Sequence, residues 1–207
     1  MKTKFLAALA AGTMLASAAH AVTTFDDLAA WQAAAGTWTN DTDYGTELDD
    51  ISALTLDDGT ELSFSGPVNI RQIGSGWATW SGGYTGQVLF SNDATSITIN
   101  FDTPVGGFGL FAEPDPFEVH SFLLTLSDGS TIGGDFNGDA GAGFLGFVGS
   151  DIVSATLSSD VGFAFGDFYV TDVADAVPEP ATWAMMIGGF ALAGAAMRRR
   201  SAAVRFA

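Results

Sequence analysis

Few residues in this 207-residue chain have types and spacing that suit chemistry. In DFNGDAG, Asp135, Asn137 and Asp139 follow the D-x-N-x-D spacing that sets alternate oxygens around a calcium ion. The loop departs from the full calcium pattern. Ala140 stands at the sixth position, where glycine makes the sharp turn, and Gly146 at the last, where a glutamate closes the shell. A polar, glycine-rich hairpin loop is the competing reading, and structural Ca²⁺ is the one cofactor the residues suggest. Trp77, Trp80 and Tyr84 in RQIGSGWATWSGGYTG (71–86) form a second set. Aromatic faces of this kind stack on pyranose rings, and the polar residues between them supply hydrogen bonds. Their i, i+3, i+7 spacing would align them on a helix, but the glycines oppose one. The alternative is that the rings pack over a sheet.

Catalytic constellations are missing from the sequence. Cysteine is absent, and His120 is the only histidine beyond the leader described below. Ser75, in GSGW, lacks the strand–turn–helix context of a nucleophile elbow. The chain is therefore expected not to be an enzyme. Its abundant carboxylates leave one alternative, a secreted carbohydrate-active hydrolase using a pair of acids. Charge narrows the partners further. Of the 24 acidic residues, 23 lie between Asp26 and Asp175, where Arg71 is the only base, a formal charge of −22. Nucleic acid is excluded as a partner, because phosphate binding needs clustered Lys and Arg.

The elements that must position these residues are mostly strands. TTFDDLAAWQAAAG predicts one helix, with Thr24 as its cap, Phe25, Leu28, Trp31 and Ala35 on its apolar face, and Gly36 at its end. The acidic segment 37–50 has no clear period. Beyond Ile51, short alternating runs recur about every ten residues, with hairpin turns at Asp58-Gly59 and Asp128-Gly129. Separate strands are expected at about 95–102 and 106–112, and the 71–86 segment as a surface loop. The fold class is mainly β: an antiparallel, jelly-roll-like β-sandwich with one N-terminal helix.

Both ends of the chain read as targeting segments. Residues 1–21 have Lys2 and Lys4, then an apolar run from Phe5 to Ala16, then the small-x-small site Ala19-His20-Ala21. That is a signal peptide handled by the Sec translocation machinery and cut after Ala21. The ectodomain then spans 22–176. At the other end, residues 181–197 are uncharged, Trp183 sits near their start, and Arg198, Arg199 and Arg200 follow directly. Seventeen apolar residues are just enough for a transmembrane helix, with the basic tail 198–207 held in the cytoplasm. Pro178, Glu179 and Pro180 precede it, and the two prolines keep the backbone extended just outside the bilayer.

The stretch PEPATWAMMIGGFALAGAAMRRR resembles the PEP-CTERM sorting signal of Gram-negative bacteria in its PEP-x-x-WAMMI-x-GF variant. Pro178, Glu179, Pro180, Trp183, Ala184, Met185, Met186, Ile187, Gly189, Phe190 and the arginines match, while Ala191 stands where glycine is common. The resemblance implies that 177–207 is a substrate for exosortase, a membrane-embedded cysteine enzyme that cuts near Pro-Glu-Pro. It implies an inner-membrane-anchored intermediate, then release to the outer surface or the extracellular space, in proteins that accompany exopolysaccharide and biofilm matrix. More loosely, FDDLAAWQAAAG, SITINFDTPVGGFGLF and LLTLSDGST resemble the β-rich domains that precede such tails. From this the ectodomain is expected to make structural or glycan contacts, with exopolysaccharide as the partner.

Overall fold

The computed structural model describes residues 22–171 and, near the C-terminus, Met186, Gly188–Phe190 and Gly194, which are helical. The signal peptide with Ala19 and Ala21, the sorting residues Pro178, Glu179, Pro180 and Trp183, and the stop-transfer arginines Arg198–Arg200 lie outside the described residues. Among those described, no helix is long and apolar enough to cross a membrane. The chain divides into two compact units, Met1–Asp172 and Val173–Ala207.

Among the described residues of the first unit there are ten antiparallel strands and one helix: β1 (Thr23–Phe25), α1 (Leu28–Ala35), β2 (Thr39–Asp41), β3 (Asp50–Thr55), β4 (Glu61–Gln72), β5 (Gln87–Phe90), β6 (Ser96–Pro114), β7 (Val119–Leu126), β8 (Thr131–Asn137), β9 (Gly143–Ser159) and β10 (Phe163–Thr171). The strands form a sandwich because β4, β6 and β9 are long enough to run through both layers. One layer is β8–β7–β9–β6–β4–β3, using the C-terminal half of β9 and the N-terminal halves of β6 and β4. The other is β1–β9–β6–β10–β5–β4, using the opposite halves, with β2 alongside β10. The mainly-β sandwich read from the sequence is thus the observed architecture.

The strands expected at 95–102 and 106–112 are one strand, β6. Asp102, Thr103 and Pro104 are exposed at its bend, and the register with β9 shifts on either side of Val105. A proline and an irregular ladder read as a break in sequence, yet here they only turn the strand from one layer into the next. Alternation does the rest. Ile97, Ile99 and Phe101 point inward while Ser96, Thr98 and Asn100 point out. The inward residues join Leu62, Phe108, Leu145, Phe147, Leu157 and Phe165 in a single core between the layers. Each fully buried side chain of this size contributes about 1.5–3 kcal/mol. Both expected hairpin turns are present, with Gly59 at φ +91° and Gly129 at φ +89°.

The helix starts later than the sequence suggests. Thr24 pairs with Phe147 in β1, which keeps the chain extended, and the cap is Asp27, whose carboxylate accepts the Ala30 N–H at 2.8 Å. Its apolar face is the expected one. Trp31 is completely buried against Phe144 and Tyr169 and donates from Nε1 to the Phe147 carbonyl at 2.8 Å. Gly146 makes the space for it, since a Cβ there would meet the Phe144 ring at 2.8 Å and Trp31 at 2.9 Å. Gly36, at φ +76°, ends the helix.

Candidate functional site

Residues 73–86 leave β4 and fold back over the outside of β5 and β10. Gln72 starts the turn by accepting backbone N–H groups from Gly76 at 2.9 Å and Trp77 at 3.0 Å. Further along, the Ser81 hydroxyl donates to the Ala142 carbonyl and the Tyr84 hydroxyl to that of Gln87, at 2.8 and 2.6 Å. The rings of Trp80 and Tyr84 lie 6.1 Å apart, and that of Trp77 lies 5.6 Å from Phe90. Trp80 is buried in a cluster with Val88, Ala142 and Ala164, with Trp77 and Tyr84 half-buried beside it. Of the three rings expected to form a platform, Trp80 is thus buried and Trp77 and Tyr84 are half-exposed, because the outward side of β5 and β10 is itself apolar and draws the rings down.

What holds this segment is a residue that the sequence reading passed over. Glu113 is fully buried and accepts the Trp77 Nε1–H at Oε2 (2.7 Å), with the Thr79 hydroxyl 3.2 Å from Oε1. The N–H groups of Ala140 and Gly141 add to these donors. Burial pushes its carboxyl above the ordinary value of 4.5, and the four donors only partly offset that. Strand alternation was the available signal, since Glu113 falls on the same outward face of β6 as Phe111. That face becomes dry only when the loop lands on it.

Two other buried acids, Asp41 and Asp167, are also pushed up by burial. Asp41 takes the backbone N–H of Asp57 at 2.8 Å, and Asp167 takes the Asn40 amide at 2.8 Å. All three buried carboxylates thus tie segments together as acceptors.

The calcium candidates fall on a strand and a tight turn. Asp135 and Asn137 are successive outward positions of β8, whose extended backbone sets their Cα atoms about 7 Å apart. Asp135 accepts the Ser121 hydroxyl at 2.6 Å, and the Asn137 side-chain Oδ1 takes the Asp139 N–H at 3.1 Å. All three side chains are exposed, and among the described residues no three His, Cys, Asp or Glu gather as a metal site.

His120 Nδ1 pairs with Asp160 at 3.0 Å, and its Nε2 is buried without a hydrogen-bond partner. No hydroxyl is bonded to that nitrogen, so a serine–histidine pair is not formed there. Glu61 and Asp102 meet in an open groove of about 390 Å³, beside Leu54 and Phe101.

A protein-family comparison matches residues 176–200 to the PEP-CTERM protein-sorting motif. The chain therefore carries the signal of an exported, exosortase-sorted protein. No curated protein matches its sequence. Among solved structures the chain is similar to the N-terminal endo-1,4-beta-D-xylanase 10B of Clostridium thermocellum, CBM22-1 and GH10 modules complexed with xylohexaose. The likeness has 12% identity and a TM-score of 0.37, covering 66% of this chain and 30% of that one. The chain thus spans less than a third of that structure's length.

Proposed function

We propose that the protein is a non-enzymatic component of the cell surface or extracellular matrix, delivered through an inner-membrane-anchored intermediate, whose sandwich makes structural or glycan contacts. The observation that carries this reading is the sorting motif at 176–200, placed directly after a compact acidic β unit. The motif is a substrate, so its chemistry belongs to the processing enzyme. Within the sandwich, the buried carboxylates serve as tethers and His120 Nε2 holds no hydroxyl, which fits a binding or scaffolding role. A hydrolase would have to work from an exposed pair such as Glu61 and Asp102, where Asp102 already accepts the Glu61 backbone N–H at 3.2 Å.

The test is the mass of the protein recovered from the native host. Wild type should begin at Val22 and end near Pro178. Replacing Pro178, Glu179 and Pro180 with alanine should leave the protein in the inner membrane with Arg198–Ala207 attached. Unchanged processing of that variant would overturn the sorting role.

A further inference from the structure

The layer containing β7 and β8 has an outward face that no other described element covers, and its register brings like side chains into rows. Thr98 of β6 is opposite Thr156 of β9, Thr156 is opposite Thr125 of β7, and Thr125 is opposite Thr131 of β8. Ser65 of β4 extends the row, its hydroxyl oxygen accepting the Thr98 N–H at 3.0 Å. A second row runs Ser63, Asn100, Ser154, and a third runs Ser96, Ser158, Leu123. Neighbours within a row are about 4.8 Å apart and the rows about 7 Å apart. All of these side chains are exposed or half-exposed, while the residues alternating with them, among them Phe64, Ile97, Ile99, Ala155, Leu157 and Leu124, are in the core.

No charged side chain stands inside this grid, although residues 26–175 carry a formal charge of −22. The acids frame it instead. Glu61 and Asp102 continue two of its strands at one end, and Asp135 continues β8 at the other. The grid is also rigid. The Thr98 and Thr156 hydroxyls are 2.9 Å apart, and Ser158 and Asn100 bond the carbonyls of Leu123 and Ser63 at 3.3 Å.

We infer that this face is a binding surface for an extended neutral polysaccharide. Each chemical class of partner meets a different response. A polyanion would be repelled by the framing acids, with no Lys or Arg in the grid to hold it. An apolar partner would strip water from the hydroxyls and return no hydrogen bonds. A polyhydroxyl chain both donates and accepts, as Ser, Thr and Asn do, and its sugars repeat at a spacing comparable to that between strands. Exposed Leu123 supplies an apolar spot for a ring face. Each bond is weak, so binding depends on many made at once on a surface already ordered. The inference rests on the proposed glycan-contacting role of the sandwich and places that role on a face instead of on the Trp77–Tyr84 loop.

The experiment is native affinity electrophoresis of the full chain in a zwitterionic detergent, in gels containing hydroxyethylcellulose, dextran, xylan or alginate. Wild type should be retarded by at least one neutral polymer and not by alginate. The double variant Thr98→Val/Thr156→Val, which keeps shape and removes hydroxyls, should bind about tenfold more weakly, as expected for the loss of a few hydrogen bonds. Thr156→Glu should abolish retardation while leaving the circular dichroism spectrum unchanged. Undiminished retardation of both variants would overturn this surface and leave the glycan role standing elsewhere on the sandwich. Absence of retardation of wild type in every gel, alginate included, would overturn the glycan role itself, and retardation by alginate alone would overturn the inference that the ligand is uncharged.

Discussion

The two outer faces of the sandwich are made by the same three long strands, yet they end in opposite states. Where β6, β9 and β10 pair, the outward residues include Phe111, Phe144 and Tyr169, and these are roofed by Trp31 of α1 and by the aromatic segment 73–86. Further along, β6 and β9 turn out Ser96, Thr98, Asn100, Thr156 and Ser158, and nothing described lies over them. Burial records the difference: every residue of β10 is buried, whereas β7 alternates. Inward residues decide that a sandwich forms. Outward residues decide whether a further layer is recruited or the face is left to a partner.

The sharpest way to break this comparison is to remove the roof. Trp31→Ala deletes a completely buried ring with its hydrogen bond to Phe147 and should cost about 3–5 kcal/mol, read by chemical denaturation of the full chain. A cost near zero would mean that the helix is an ornament on an already stable sheet.

Next comes the tether. Glu113→Ala leaves the Trp77 Nε1–H without its acceptor, while the Thr79 hydroxyl keeps the Gly138 carbonyl at 3.1 Å, and should cost about 1–3 kcal/mol. The pH dependence has a definite sign. Because burial raises the Glu113 carboxyl above 4.5, its contribution is fully present below 4.5 and is lost as pH rises through the raised value. The stability of wild type relative to Glu113→Gln should therefore grow on acidification from neutral pH towards 4.5. A difference that does not change with pH would show that the carboxyl titrates as it does in the unfolded chain.

The smallest effect belongs to the bare face. Thr98→Val/Thr156→Val should alter folding stability by only about 0.5 kcal/mol, since these positions are partly wet and lie outside the core. A large loss would mean that the hydroxyl rows hold the sandwich together, and the contrast between the faces would shrink.

Much of the pattern was legible beforehand. SITINF alternates cleanly, so one wet side could be read for β6, and FAFGDFYV is nearly continuous in apolar residues, as a strand covered on both sides must be. The helix face with Leu28 and Trp31 was readable for the same reason. Its cap was not, because pairing between Thr24 and Phe147 is a contact between residues far apart in the chain. Glu113 was illegible as a tether, since it acquires its role from Trp77 and Thr79 on another segment.

What the sequence by itself determined was local and periodic: a mainly-β unit, its two hairpin turns, its one helix, its charge, and the sorting motif matched at 176–200. These follow from neighbouring residues and from alternation, which act without reference to the rest of the chain. The tertiary structure alone decided that β6 bends through Pro104 into both layers, that Trp80 packs down from its loop onto β5 and β10, and that Ser65, Thr98, Thr156, Thr125 and Thr131 stand in one row. Register between strands sets that row, and register is fixed by which inward residues fit together in the core.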